Sequence, residues 1–318
     1  FRENRRQHDA LDALYVGITS RKINWILDAD IKGFFDNLNH EMLLNLLEKR
    51  IGDKRVLRLI SKWLKTGYIE EGKRIRQETG TPQGSVISPL LANVYLHYVL
   101  DIWASCWRRT KAKGDMIMVR YADDFVIGFQ HQEEAEIFLA DLKQRLSSYE
   151  LTLHPKKTRL IEFGRYAASN RMRKGKGKPE TFDFLGFTHM CATNRKGVFF
   201  LRRKTIRKRF KKKLEAVKGE LKKRMHSKLI MTGKWLAAVI TGHANYYGVP
   251  GNMDTVKEFY KQCMRHWLRT LRRRSQKGKR LTWEKLQRKT EKLIPRPRLV
   301  HPFPEQRFWR QRLEVRAG

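Results

Sequence analysis

The chain has 318 residues, 41% hydrophobic and 32% charged, which is length and apolar content for about two globular domains and excludes a disordered polypeptide. Its 69 Lys and Arg face 32 Asp and Glu, a formal net charge of +37. A charge that large repels itself and calls for a polyanion, so an enzyme of small acidic metabolites is excluded as the first reading.

In chain order, residues 8–20 predict a short helix, and 23–31 (INWILDADI) an apolar strand that ends in carboxylates. Met42, Leu43, Leu46 and Leu47 give helical spacing over 40–51, and Val56, Leu59, Ile60, Trp63 and Leu64 do so over 53–66. Gly80 to Pro89 is a Gly/Pro/Ser loop that feeds a long helix over 88–107. Two apolar strands, 115–121 and 124–129, flank a polar turn in a hairpin pattern. A helix over 133–149 follows, then strands over 151–163 and 182–189, separated by a basic, Gly-rich loop over 165–180. Beyond 200 the pattern is helical until Pro295. Strands alternating with helices, followed by helices alone, predict an α+β domain and then an α domain. No apolar run approaches the ~18 residues of a membrane span.

The charge is unevenly placed. Residues 1–184 hold 32 basic and 24 acidic residues, whereas 185–318 hold 37 and 8. The front half suits a catalytic body that uses carboxylates, and the back half a polyanion clamp. Arg202 to Arg224 carries 13 Lys or Arg in 23 positions, while Ile206, Phe210, Leu214, Val217, Leu221 and Met225 recur at helix spacing. This predicts one helix with an apolar stripe and a cationic face. A solvated face and a membrane surface are the alternatives, but only Glu215 and Glu220 offset the cations, which favours nucleic acid. Cys106, Cys191 and Cys263 are too far apart for a disulfide framework or a structural zinc, and they fit a reducing compartment.

Asp28, Asp30 and Asp36 cluster at the end of the first strand, and Asp123 and Asp124 occupy the turn of MVRYADDFVIGF. One Asp in a turn is unremarkable, but adjacent acids between apolar strand residues repel each other and are poor strand formers. Mg²⁺ binds through a few carboxylates together with substrate phosphates, and two such ions ~3.5–4 Å apart stabilise both oxygens of an in-line phosphoryl displacement. The residues thus point to metal-assisted phosphoryl transfer on a nucleic acid.

Five motifs occur in order: DIKGFFD at 30–36, GTPQGSVISPLLAN at 80–93, RYADDF at 120–125, LTLHPKKT at 151–158 and FLGF at 184–187. Together they resemble palm motifs A to E of reverse transcriptases of the bacterial group II intron type. FRENRRQHDAL at 1–11 is similar to that family's fingers segment, with Asn4 and Arg6 in place of its usual Gly and Ser. GKWLAAVITGHANYYGVPGN at 233–252 resembles its thumb or maturase region, and HPFPEQRF at 301–308 its C-terminal segment. The resemblance implies an α+β right-hand polymerase. Partial fingers and palm would occupy 1–190, a helical thumb 200–275 and a basic C-terminal segment 276–318. A longer protein would carry further fingers sequence before Phe1, so both ends are read as cuts, and the fragment alone would bind dNTPs poorly. No Cys-rich nuclease module follows.

The resemblance also assigns roles. Asp30, Asp123, Asp124 and the Ile31 carbonyl would bind two Mg²⁺ ions, with Mn²⁺ as a substitute. Phe35 would exclude a 2′-hydroxyl, with Phe34 or Phe35 as plain core. Gln83 and Gly84 would border nucleotide and template, and Tyr121 would lie beneath the primer end. Lys157 would protonate the leaving pyrophosphate, with Lys156 beside it as the alternative. Arg203, Lys204, Lys208, Lys211, Lys212 and Lys222 would contact phosphates. His243, Asn245, Tyr246 and Tyr247 are read as thumb packing, with stacking on RNA as a second role; Trp235, Trp267 and Trp283 are read as helix core. The implied partners are an RNA template, a DNA primer, dNTPs and the protein's own intron RNA, in the bacterial cytoplasm and without a membrane. An RNA-binding maturase without polymerase activity and a domesticated reverse transcriptase, in defence for example, are the alternative functions. Intact acids favour the polymerase, because RNA binding alone gains nothing from clustered carboxylates.

Overall fold

A computed structural model describes residues 5–65, 68–70, 73–75, 80 and 87–309 of the chain, and at its centre lies a four-stranded antiparallel sheet. Helix α1 (Gln7–Ser20) leads into β1 (Trp25–Ala29), followed by α2 (His40–Glu48), α3 (Lys54–Lys65) and the small hairpin β2 (Tyr68–Glu70) and β3 (Lys73–Ile75). Then come α4 (Ser88–Leu96), α5 (Ile102–Thr110), β4 (Met116–Tyr121), β5 (Asp124–Phe129), α6 (Gln132–Ser147) and β6 (Arg159–Glu162). The sheet order is β4-β5-β1-β6. β1 lies inside the sheet, and Ile26 and Leu27, which point to opposite faces, are both fully buried. This explains an apolar run where a half-exposed strand would alternate. Leu27, Phe125, Ile127 and Phe129 share a core with Trp107 of α5 and with Phe138, Leu142 and Leu146 of α6.

Where the structure departs from the sequence-based expectations, the reasons are local. The helix expected over 88–107 is interrupted by a π-helical turn, His97–Asp101, between α4 and α5. The strand expected over 151–163 shrinks to β6, because Lys157 and Thr158 donate their N–H groups back to the His154 carbonyl and turn the chain around Pro155. The loop at 165–180 contains α7 (Ala167–Arg173), a glycine-free stretch whose glycines begin only at 175. The strand expected over 182–189 is a hairpin of β7 (Phe182–Phe184) and β8 (Phe187–Thr193), turning at Leu185 and Gly186 with φ of 46° and 83°. Such a turn needs left-handed residues, which Gly adopts freely. The helix expected from Arg202 starts only after β9 (Phe199–Thr205). Leu201, Arg203 and Thr205 are buried and Lys204 is exposed, a period of two that the high charge count conceals.

The helices that follow are α8 (Arg207–Lys223), α9 (Leu229–Tyr247), α10 (Met253–Arg274), α11 (Gln276–Lys279) and α12 (Trp283–Thr290). Val217 and Leu221 of α8 join Leu236, Ile240, Phe259 and Trp267 in a second core, as the apolar stripe requires. The chain divides into two compact units, one comprising residues up to Glu180 with Thr193–Leu201, the other Thr181–Ala192 with the residues from Arg202 onward. Among the described residues no helix is long and apolar enough to cross a membrane. Cys106, Cys191 and Cys263 are not joined to one another by disulfides and run from exposed to buried in that order.

Two buried imidazoles make the second unit acid-sensitive. His189 of β8 stacks on Phe182 at 4.9 Å, and burial, aided by the Arg203 charge, pushes its pKa down to about 3. His243 of α9 stacks on Phe259 at 3.7 Å and is pushed down to about 4 by burial and then by Lys213. Unfolded imidazoles titrate near ~6.5, so between there and ~4 the unfolded chain takes up protons that the folded chain refuses, and stability falls as pH falls. At pH 4.5 each imidazole should remove about 2–3 kcal/mol relative to pH 7. Urea unfolding at the two pH values measures this, and equal midpoints would overturn it.

Candidate active site

The pairing register brings the candidate residues together. β1 pairs with β5 so that Asp28 faces Val126 and Ala29 faces Phe125, which leaves Asp30 just past the end of β1 and Asp124 at the start of β5. On its other edge β1 pairs with β6, Asp28 facing Arg159, and continuing that register brings Asp30 opposite Lys157. The side chains agree. Arg159 donates to Asp28 at 3.0 Å, and Lys157 Nζ donates to Asp30 Oδ2 at 2.7 Å. The Asp30 hydrogen bond and charge, with a further contribution from Asp124, raise the Lys157 pKa above the usual lysine value. Lys157 is 61% exposed, so the pair is screened and adds little to stability. Lys156 instead donates its backbone N–H to the His154 ring.

Ile31, next to Asp30, is buried and joined to Leu153 by an isolated antiparallel bridge, while the Asp30 carbonyl accepts from His154 N at 2.7 Å. Phe34 is core, and the half-buried Phe35 meets it edge-on at 5.3 Å. Gly80 closes over this segment. Its N–H donates to the Leu38 carbonyl at 2.8 Å, and a Cβ there would sit 2.7 Å from the carbonyl oxygens of Phe35 and Asp36. With φ at +82° as well, only glycine fits. Gln83 and Gly84 lie outside the described residues.

Asp123 lies in the β4–β5 turn, and Asp124 opens β5 paired with Tyr121. Ala122 sits between them and Tyr121 at φ +56°, a left-handed conformation that costs a non-glycine residue roughly 1–2 kcal/mol. A guanidinium fork holds the turn. Arg120 donates from Nε and Nη2 to both oxygens of Asp101 at 2.6 and 2.5 Å, and from Nη1 to Asn93 Oδ1 at 2.8 Å and the Ala122 carbonyl at 2.7 Å. The Arg120 and Asp101 side chains are 7% and 19% exposed. Asp101 ends the π-helical turn, a feature that often marks functional sites. Tyr121 is half-buried and lines a cavity of about 410 Å³ that Arg5, Arg6, Arg108 and Arg120 also border. Sequence reading passed over this fork. Its signal was Asp101, the one charged residue between Glu78 and Arg108.

Among the described residues, no three Asp, Glu, His or Cys side chains converge closely enough to hold a metal ion between them. The register nonetheless brings carboxylates to one end of the sheet, and an all-oxygen donor set is the kind that hard divalent cations prefer. In the second unit Lys208, Lys211, Lys212 and Lys222 are exposed on α8, and Lys204 is exposed on β9. Arg203 is a correction to the expected phosphate contacts, because strand alternation buries its side chain at 1% exposure.

The family model for reverse transcriptase (RNA-dependent DNA polymerase) matches residues 1–189, more than half of the chain and all five ordered motifs. The chain belongs to the reverse transcriptase family. Within it, the group II intron-encoded protein LtrA of Lactococcus lactis subsp. cremoris is 42% identical over 97 residues, which cover 30% of this chain and 16% of that protein. Protein YkfC of Escherichia coli K12 is 32% identical over 168 residues, covering 42% of this chain and 44% of that protein. The chain thus matches less than half of the length of either relative. Among solved structures, telomerase from Candida albicans in complex with a fragment of telomeric RNA aligns at TM-score 0.44 and 14% identity, over 89% of this chain and 50% of that one. In this reverse transcriptase-family chain RYADDF carries the turn that the fork supports.

The fork carries a stability prediction. Arg120→Met takes the guanidinium from a largely buried carboxylate that keeps the His97 ring at 3.3 Å, and should cost up to about 3–5 kcal/mol. Adding Asp101→Asn removes that stranded charge, so the double variant should be less destabilised than the sum of the two singles by at least about 1 kcal/mol. Urea denaturation of the four proteins measures the coupling, and additive costs would remove the fork from the account.

Proposed function

We propose that the chain is the polymerase portion of a group II intron-type reverse transcriptase, extending a DNA primer on an RNA template and assisting the splicing and mobility of its intron. The observation that carries this reading is the Lys157–Asp30 contact at the end of β1, on the side of the sheet where β5 opens with Asp124 and the adjoining turn carries Asp123. The 42% identity over 97 residues to a group II intron-encoded protein supports the intron type.

Asp30, Asp123 and Asp124, with the Ile31 carbonyl, would hold two Mg²⁺ ions, or Mn²⁺ in their place. When bound, such ions stabilise the attacking and leaving oxygens of an in-line displacement. The chain's own residues do the rest. Lys157, kept protonated by Asp30 and Asp124, is stationed to give a proton to the departing pyrophosphate. The half-buried ring of Phe35 would lie under the incoming sugar, leaving no room for a 2′-hydroxyl and so selecting dNTPs. Tyr121, beside the turn, would support the primer end. Gln83 and Gly84 would line the nucleotide and template side. The exposed lysines of α8 would neutralise phosphates of the bound nucleic acid without reading its sequence.

Asp123→Asn should slow primer extension by at least about 10³-fold, because the carboxylate serves a site worth several kcal/mol in the transition state and each ~1.4 kcal/mol is a decade. RNA binding should stay within about twofold. Primer extension by the full-length protein on an RNA template with Mg²⁺ measures both the acid's role and the activity, and a rate within tenfold of wild type would sink the assignment.

The α8 face predicts salt dependence. With three to five phosphates contacted, log Kd against log salt should rise with a slope of roughly 0.7–0.9 per phosphate. Changing Lys208, Lys211, Lys212 and Lys222 together to Gln should flatten it by about two to four units. The apolar stripe is untouched and Gln is a good helix former, so the fold should survive. An unchanged slope in the folded variant would move the clamp to another basic stretch.

A further inference from the structure

In the second unit a cavity of about 590 Å³ opens between α8 and α9. This lies within the ~300–1,000 Å³ typical of ligand clefts. Its wall is aromatic, with Phe210 from α8 and His243, Tyr246 and Tyr247 from α9. Arg209, Lys212 and Lys213, all exposed, stand around it, and no acidic residue is among its lining. Tyr246 is fixed in place, since its hydroxyl donates to the Leu185 carbonyl at 2.8 Å and its ring stacks on Phe187 at 5.9 Å.

One further feature points to an occupant. Gly242 lies within α9 and lines the cavity, and a Cβ added there would meet nothing within 4 Å. A mid-helix glycine weakens a helix relative to alanine, so this position gives up helix stability while leaving the cavity open. His243, 7% exposed and stacked on Phe259, backs the aromatic wall from the core side. An anion alone would have no use for the aromatic wall, and an apolar peptide no use for three cations without a counter-charge. An aromatic wall and flanking cations suit a flat heteroaromatic ring with phosphates on either side.

We propose that this cavity takes one unpaired nucleobase of an RNA strand, with the aromatic side chains against the base and Arg209, Lys212 and Lys213 on the neighbouring phosphates. The inference rests on the reading of α8 as a nucleic-acid face and adds that this face recognises a base left out of the duplex. Stacking tolerates any base, so the preference is for an unpaired nucleotide rather than for a sequence.

The full chain is tested with two RNA duplexes of equal length, one fully paired and one carrying a single bulged 2-aminopurine. Wild type should bind the bulged duplex about 5- to 150-fold more tightly, the range that one stacked base supplies, and should change the 2-aminopurine fluorescence. Gly242→Leu fills the cavity without altering charge. It should abolish the preference and the fluorescence change while leaving the salt slope and the affinity for paired RNA intact. Ala216→Leu fills the cavity from α8 and serves if the first variant does not fold. Equal wild-type affinity for the two duplexes overturns the inference, as does a preference that survives in a folded filling variant. Failure of the underlying phosphate reading shows differently, as a salt slope unmoved by the four lysine changes.

Discussion

The placement of Asp30 in the candidate site depends on the antiparallel pairing of β1 with both β5 and β6. That double pairing delivers Asp30, just past the end of β1, to Lys157 Nζ at 2.7 Å, with Asp124 opening the neighbouring strand. Side chains in a strand alternate with a period of two, so a slip of one residue in either ladder would turn Asp30 away from one neighbour. The register is protected by burial on both faces of β1, where Ile26 and Leu27 leave no alternative placement that keeps them dry. The energy that fixes the chemistry is therefore hydrophobic and comes from the sheet, while the exposed Lys157–Asp30 pair adds alignment and little stability.

Beside this sheet end the Arg120 fork works by a different principle. Its pairing with Asp101 is largely removed from solvent, so the geometry is strict and the loss of either partner severe. Its spare donor reaches the Ala122 carbonyl, where the chain takes a backbone conformation that alanine does not favour. The turn carrying Asp123 is thus held from below by an ion pair whose acid arrives from a helix, and the strain at Ala122 is offset by hydrogen bonds.

Much of this was legible in the sequence and some was not, for physical reasons. The hairpin around RYADDF and the strand ending in Asp30 show as apolar runs broken by acids, because apolar periodicity is a local property. Registers are not local. Nothing in the order of residues says that Asp28 pairs across to Arg159, and the partnership of Asp101 with Arg120 depends on a π-helical turn that leaves no mark in an apolar pattern. Charge also misled. Thirteen cations between Arg202 and Arg224 suggested one uniform helix, yet β9 occupies the first positions and buries Arg203. The apolar stripe of α8 was legible; the cavity beside it was not, since that depends on which helix packs opposite and on a glycine that leaves space.

The π-helical turn has a consequence for how this fold tolerates length changes. An α-helix advances about 100° per residue, and a π turn accommodates one residue more than the α-helical repeat. Deleting a single residue between His97 and Asp101 would let the rod close into ordinary α-helix with its flanks still in phase, whereas the same deletion in α5 ahead of Trp107 would rotate everything after it by about 100°. Either Asp101 would leave Arg120 or Trp107 would leave the core it shares with Phe129 and Phe138. The segment from Ser88 to Thr110 therefore acts as a phase lock, in which residue count, more than residue identity, keeps the acidic turn and the hydrophobic core in step.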